Sequence, residues 1–451
     1  MRENPAQQGF CRIAAPPFEI VFTFQKGGGN GVGVGSRNTS KRVSSTPRNA
    51  GNLLLGGVVM RITFNKLTAL HILRVWRSSG RTLTADRHGL KTSVVAPGRY
   101  WTRRRISACL ESVDVSLSDM RGQVQVMVPR PGARIRSRTA RNTVYVRGLP
   151  ETPVIELGSV VRIPCPELLF IELGTIMSPT AQLLVGLELC GRFSRDARDP
   201  RDGNTTFGIK PVTTADKIRS YVSTARDLAG LEQSRRVAEW LMDEAWSPQE
   251  ALLNGLARMP LHELGYELGE LQLNPRFIAR GQLLSLVDKK SRVPDSLVKD
   301  AHVGFNYDGG PHFGEDVCGT AETELIGSNT AASMRKAVVA DKRRDRDLLV
   351  QGLAILPVTK EDFYERGGID RVMLQAMSLL ERIDQRDYSK HKRVLRKPRL
   401  AEERQRLIWS LLPGRRGREL SQELARCEPP EPTVEDYDIT FGNGKMTIMR
   451  I

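Results

Sequence analysis

Residues 65–78 carry Leu67, Leu70, Ile72, Leu73 and Trp76 at mostly helical spacing, which predicts a helix with Arg74 and Arg77 turned outward. The runs "VQVMVP" and "NTVYVRG" predict short strands after it. Leu168, Leu169, Ile171 and Leu173 share a helix opened by Pro166-Glu167, with proline at the first helical position and an acid in the first turn. A second helix is expected near Ser178-Pro179, and the stretch beginning "TTADKIRSYV" reads as two or three more. From Ser247 the pattern becomes helix, strand, strand, strand, helix, strand. Its segments are "SPQEALLNGLARM", "YELGELQLN", "RVPDSLV", "HVGFNYD", "SMRKAVVADKRRDRDLLVQG" and "LAILPVT". Period-2 reading of residues 302–308 places Val303, Phe305 and Tyr307 on one face, and His302, Asn306 and Asp308 on the other with Gly304. Residues 312–330 read as a mostly acidic loop. Residues 386–426 read as basic helical segments, and Gly442-Asn443-Gly444 as the turn of a terminal hairpin.

Charge changes this picture. The net charge is +17, yet the first 150 residues alone hold 25 Lys+Arg against 6 Asp+Glu. An excess confined to one third of the chain is the electrostatic footprint of a polyanion-binding region, or else a solubilising terminus. The expected organisation has five parts. Residues 1–59 form a Gly/Ser-rich basic segment with little to bury. Residues 60–150 form a small basic α+β module, possible as a winged helix or as a plain small domain. Residues 151–244 form a helical connection, residues 245–385 an α/β domain, and residues 386–451 a basic helical tail with the hairpin. The glycines of "QKGGGNGVGVG" have no Gly-Lys-Ser/Thr after them and so do not read as a phosphate loop. Met60 opens the first well-patterned segment and is the expected true start, which the intact mass of the natively expressed protein would check. Six scattered cysteines without C-x-x-C spacing indicate neither a disulfide framework nor a zinc site. With no run of about 20 apolar residues, the expectation is a cytoplasmic protein without a membrane partner.

The chemistry concentrates in residues 245–380. If the two strands adjoin, Asp295 after Pro294 converges with Asn306 and Asp308. Oxygen ligands at neighbouring strand ends, few in number and open to water and phosphate, suit Mg²⁺. The stretch resembles the PD-(D/E)xK restriction-endonuclease-like superfamily, in particular an uncharacterised bacterial branch akin to very-short-patch repair endonucleases. The resemblance is carried by Pro294-Asp295, Asn306-Tyr307-Asp308-Gly309, His312, Asp341 with Arg344, Gly352, and Thr359-Lys360-Glu361-Asp362. It implies a restriction-endonuclease-like mixed sheet flanked by helices. It also implies Mg²⁺ held by Glu250, Asp295, Asn306 and Asp308, with Asp295, Asp308 and His312 as catalytic groups and His312 as proton acceptor. Arg344 and Lys342 on the following helix, and Arg103, Arg104 and Arg105 in the basic module, are the expected nucleic-acid contacts.

This sequence departs from the family pattern at one position. Where the family has Glu, the chain has Asn306, an amide that brings no negative charge. Two functional readings follow. One is a Mg²⁺-dependent DNA nuclease in which a metal-bound water attacks a phosphodiester. The other is a catalytically inactive DNA-binding or regulatory protein of a bacterial defence or toxin–antitoxin type. Each residue also has a structural reading. Glu250 closes a capping box with Ser247, Asp308-Gly309-Gly310 is turn chemistry, and Arg343, Arg344 and Arg346 with Asp341 and Asp345 form a solvated helix face.

Overall fold

The computed structural model describes residues 54–55, 58–90, 98–308, 323–427, 437–442 and 445–450, and the chain within them is an α/β protein. Near its start, β1 (Leu54–Leu55) and β2 (Val58–Val59) pair antiparallel. The chain then enters the core through β3 (Ile62–Thr63) and turns into α1 (Lys66–Ser78). The helical spacing of Leu70, Ile72 and Leu73 does bury those residues, but Leu67 is 49% exposed. Arg74 and Arg77 are not outward: both are buried, because the surface they meet supplies matching acceptors. Arg74 donates to the Glu188 carboxylate through Nε (2.9 Å) and Nη2 (2.6 Å), and Arg77 donates to the carbonyls of Glu188 and Gly191.

The next elements are α2 (Arg103–Glu111), β4 (Val124–Val128) and β5 (Ala140–Val144). The two strands run parallel, whereas the wing of a winged helix is an antiparallel hairpin. A hairpin of β6 (Val154–Leu157) and β7 (Val161–Pro164) takes β3 on its open side, parallel to β7. Then come α3 (Pro166–Leu173) and α4 (Pro179–Leu189), which start where their Pro-Glu and Ser-Pro signals lie. Nearly every residue of both helices is buried, as expected for helices apolar around the whole circumference. Their buried glutamates are each satisfied from other segments. Glu167 accepts from Arg87 and Thr213; Glu172 accepts from Asn65 and Tyr145. Such pairing is what makes a buried carboxylate tolerable.

A short pair, β8 (Phe193–Ser194) with β9 (Thr206–Phe207), precedes α5 (Ala215–Thr224), α6 (Leu231–Ala238) and α7 (Pro248–Arg258). The helix, strand, strand, strand, helix, strand order then appears with one addition. The first strand shrinks to β10 (Leu271–Leu273). A hairpin of β11 (Phe277–Ile278) and β12 (Ser291–Arg292), which the residue pattern does not predict, follows before β13 (Ser296–Val298) and β14 (Val303–Asp308). Helix α8 (Thr323–Val350) starts inside the stretch read as an acidic loop, and β15 (Ala354–Thr359) closes the unit. The strands lie in the order β10-β13-β14-β15. The first two pairings are antiparallel; the last is parallel, with α8 in the connection, as a parallel pairing requires a crossover.

This sheet has two distinct faces. Val303 and Phe305 are fully buried in the main core, and Tyr307 packs edge-on against Phe363 at 6.0 Å between ring centroids. On the opposite side Leu297, Leu348 and Leu353 make a small cluster with Ile355. Gly304 sits close against β13: a Cβ there would lie 2.2 Å from the Ser296 carbonyl oxygen. The α9 (Lys360–Tyr364), α10 (Gly368–Asp384), α11 (Ser389–Leu395), α12 (Pro398–Leu411) and α13 (Gly414–Ala425) helices follow. The hairpin of β16 (Tyr437–Gly442) and β17 (Lys445–Arg450) ends the described chain. Among the described residues no helix is long and apolar enough to cross a membrane.

Candidate functional site

The β13–β14 pairing sets Ser296 opposite Phe305, which brings Asp295 beside Asn306 at the carboxyl end of β14. The strand ends that carry them are joined twice. The Asp295 backbone N–H donates to Asn306 Oδ1 at 3.0 Å, and the Tyr307 backbone N–H donates to Asp295 Oδ2 at 2.6 Å. A backbone N–H has only a proton to give, so the Asn306 atom that faces it is its oxygen. The other end of the amide, Nδ2, is buried and has no partner among the described residues, and Asn306 as a whole is 1% exposed.

Glu250, in the first turn of α7, reaches the same place. It is within electrostatic range of Asp295 and also serves its own helix. The Glu250 N–H donates to Ser247 Oγ, the Ser247 hydroxyl donates to Oε1, and the Trp246 N–H donates to Oε2. The structural and site readings of this residue therefore coexist. Burial pushes the Glu250 carboxyl up to about 7, with the Asp295 charge adding to the effect. Burial likewise pushes Asp295 up to about 6, against the opposing pull of the Tyr307 N–H and Arg344.

Asp308 lies two residues beyond Asn306. Arg344 Nη2, on α8, donates to Asp308 Oδ1 at 3.0 Å and also approaches Asp341 at 3.7 Å. Burial raises Asp308, with Arg344 working against it and Asp341 and Asp345 reinforcing it. Lys342, on the same helix, is exposed. His312 lies outside the described residues. His302, grouped with Asn306 by the alternation, is drawn elsewhere: its Nδ1 lies 2.6 Å from an Asp384 oxygen at the end of α10. His302 lies just before β14.

Arg103, Arg104 and Arg105 open α2, in a different part of the chain. The first two are exposed. Arg105 is partly buried, stacked 4.1 Å over the Tyr100 ring and donating to the Tyr100 carbonyl at 2.9 Å.

Two contributors escaped sequence reasoning. Asn274, left-handed at φ 51°, donates through its N–H to the Asp295 carbonyl and through Nδ2 to the Glu244 carbonyl, and it is also a hydrogen-bond partner of Glu250. Its only sequence signal is an Asn-Pro pair at a strand end. Asp347, on α8, accepts from the N–H groups of Asp288 and Lys289 and from Arg292, fastening the β11–β12 insertion to the helix.

The donor set can now be tested against the Mg²⁺ that the resemblance implies. A hard divalent cation takes oxygen ligands. The Asn306 oxygen already accepts one N–H with one of its two lone pairs, and the other end of the amide is a donor, which repels a cation. One oxygen of Asp308 is held by a guanidinium that already supplies positive charge. As arranged, Asn306 is a poor ligand for a divalent metal, with no charge to offer and one lone pair already engaged. Among the described residues no group of three or more His, Cys, Asp or Glu side chains is placed to hold one.

Comparison of the chain with protein-family models, with curated proteins and with solved structures finds no match.

Proposed function

We propose that this chain is a nuclease-like protein that binds DNA without hydrolysing it, acting as a regulator. The observation carrying this reading is the Asp295–Asn306 lock, in which the substituted position offers an uncharged oxygen that already accepts a backbone N–H. The order of α7, β10, β13, β14, α8 and β15, with three antiparallel strands and a final parallel one, supports a restriction-endonuclease-like scaffold. The basic excess of the first 150 residues supports a polyanionic partner.

Supercoiled plasmid incubated with the full chain in Mg²⁺, Mn²⁺ or EDTA tests the reading. The expected result is retardation of the plasmid without nicking in all three. An Asn306→Asp variant restores an oxygen with a charge, and a thermal midpoint that rises with Mg²⁺ in this variant but not in the wild type supports the account. Metal-dependent nicking by the wild type that disappears in Asp295→Ala overturns it.

A further inference from the structure

The arginines of the N-terminal region lie on two segments brought together by one glycine. The Arg136 N–H donates to the Gly98 carbonyl at 3.1 Å. A Cβ on Gly98 would lie 2.1 Å from the Arg134 carbonyl oxygen, so only glycine allows this approach. One segment bears Arg99 and then Arg103 and Arg104 at the start of α2; the other bears Arg134, Arg136 and Arg138. All six are exposed, and none meets a carboxylate among the described residues. On the second segment burial alternates: Arg134 out, Ile135 in at 5% exposure, Arg136 out, Arg138 out. Arg134 leaves its turn at φ −56°, ψ 129°.

Both segments are anchored. Tyr100 and Trp101 are buried at 6% and 5% and pack edge-on at 5.1 Å. Asn142 accepts the Ile135 N–H and donates to the Ile135 carbonyl. The arginines on α2 also crowd the positive end of a helix whose first turn has no acid, an arrangement that favours an anion.

We propose that Arg99, Arg103, Arg104, Arg134, Arg136 and Arg138 form a surface for the phosphate backbone of double-stranded nucleic acid. This rests on the reading that the chain acts on nucleic acid, and it places the main contact on residues other than those around Asp295 and Asn306. The aromatic residues decide the class of partner. Single-strand binders stack bases on exposed rings, whereas here Tyr100 and Trp101, the only rings between residues 98 and 141, face inward. The same absence of exposed bulky anchors disfavours a membrane surface.

The test is fluorescence anisotropy of a labelled random-sequence DNA duplex, and of one of its single strands, titrated with the full chain over a series of salt concentrations. An Arg134→Gln/Arg136→Gln/Arg138→Gln variant should bind the duplex at least ~10-fold more weakly, with a log–log salt slope shallower by about 2.7, at about 0.9 for each phosphate no longer neutralised. Circular dichroism and thermal melting check that the variant folds. If it does not, single Arg→Gln changes are read instead, each by a slope change of about 0.9. A duplex bound equally by wild type and variant overturns the surface and leaves the nucleic-acid reading standing. Tighter binding of the single strand, or binding of phosphatidylserine vesicles in place of the duplex, overturns the class of partner. No binding of any nucleic acid by the wild type removes the functional reading itself, and the inference with it.

Discussion

Asp295 and Asn306 satisfy each other's strands: the amide oxygen of Asn306 takes the Asp295 N–H, and an Asp295 carboxylate oxygen takes the N–H of Tyr307, the next residue along β14. The consequence is a carboxylate pair, Asp295 and Glu250, held in a buried place with no cation among the described side chains to neutralise both.

This pair makes stability depend on pH in a definite direction. Burial raises Glu250 to about 7 and Asp295 to about 6, so between roughly pH 4 and 7 the folded chain keeps protons that the unfolded chain has released. The contribution of these two groups is most favourable at low pH and is lost as pH rises through that window. Asp295→Asn, which keeps an acceptor for Tyr307, should be more stable than wild type at pH 8 by about 2–3 kcal/mol, with the gain fading toward pH 4. Urea denaturation across the pH range measures it, and a difference flat with pH would sink the argument.

Asp347 is nearly fully buried and gathers Arg292 and two backbone amides; these outweigh the opposing effect of its burial and hold its carboxyl below the usual range. Asp347→Ala leaves Arg292 buried without its carboxylate and should cost about 3–5 kcal/mol. Urea unfolding reads the loss, and hydrogen exchange should show residues 277–292 opening first. A cost below about 1 kcal/mol would show the pair to be incidental.

The buried Arg74–Glu188 pair fastens α1 to α4. Arg74→Met alone should destabilise by about 3–5 kcal/mol, because Glu188 loses its bidentate partner. Arg74→Met combined with Glu188→Leu should recover part of that loss but not all, since the Arg195 N–H also donates to Glu188. A double-mutant cycle in denaturant checks the coupling, and strictly additive losses would contradict it.

Gly304→Ala places a methyl group against the Ser296 carbonyl, between strands paired on both sides. The expected cost is about 1–3 kcal/mol, with a lower thermal midpoint. An unchanged midpoint would mean that the β13–β14 pairing yields more easily than the geometry implies.

Much of the architecture was legible in the sequence, because local signals and global packing agree there. The Pro-Glu and Ser-Pro starts of α3 and α4, the Ser247 cap of α7 and the alternation of β14 are short-range features, and the fold preserves them. The alternation also placed Asn306 and Asp308 together on the face away from Phe305. It went wrong at His302, just before β14; the His302 ring meets Asp384 instead.

What the sequence alone determined is which residues lie on which face of each element, since helical and strand periodicities are fixed by backbone geometry. What only the tertiary structure decided is what the polar residues on those faces meet. Arg74 and Arg77 read as outward because arginine is costly to bury unpaired, and Glu188, more than a hundred residues away, reverses that cost. Asn306 read as a weakened metal ligand, since its composition says only that an oxygen is present. Whether that oxygen is free depends on the register of β13 against β14 and on the N–H this register delivers. Partners distant in sequence leave no periodic trace, so these outcomes appear only once the chain has folded.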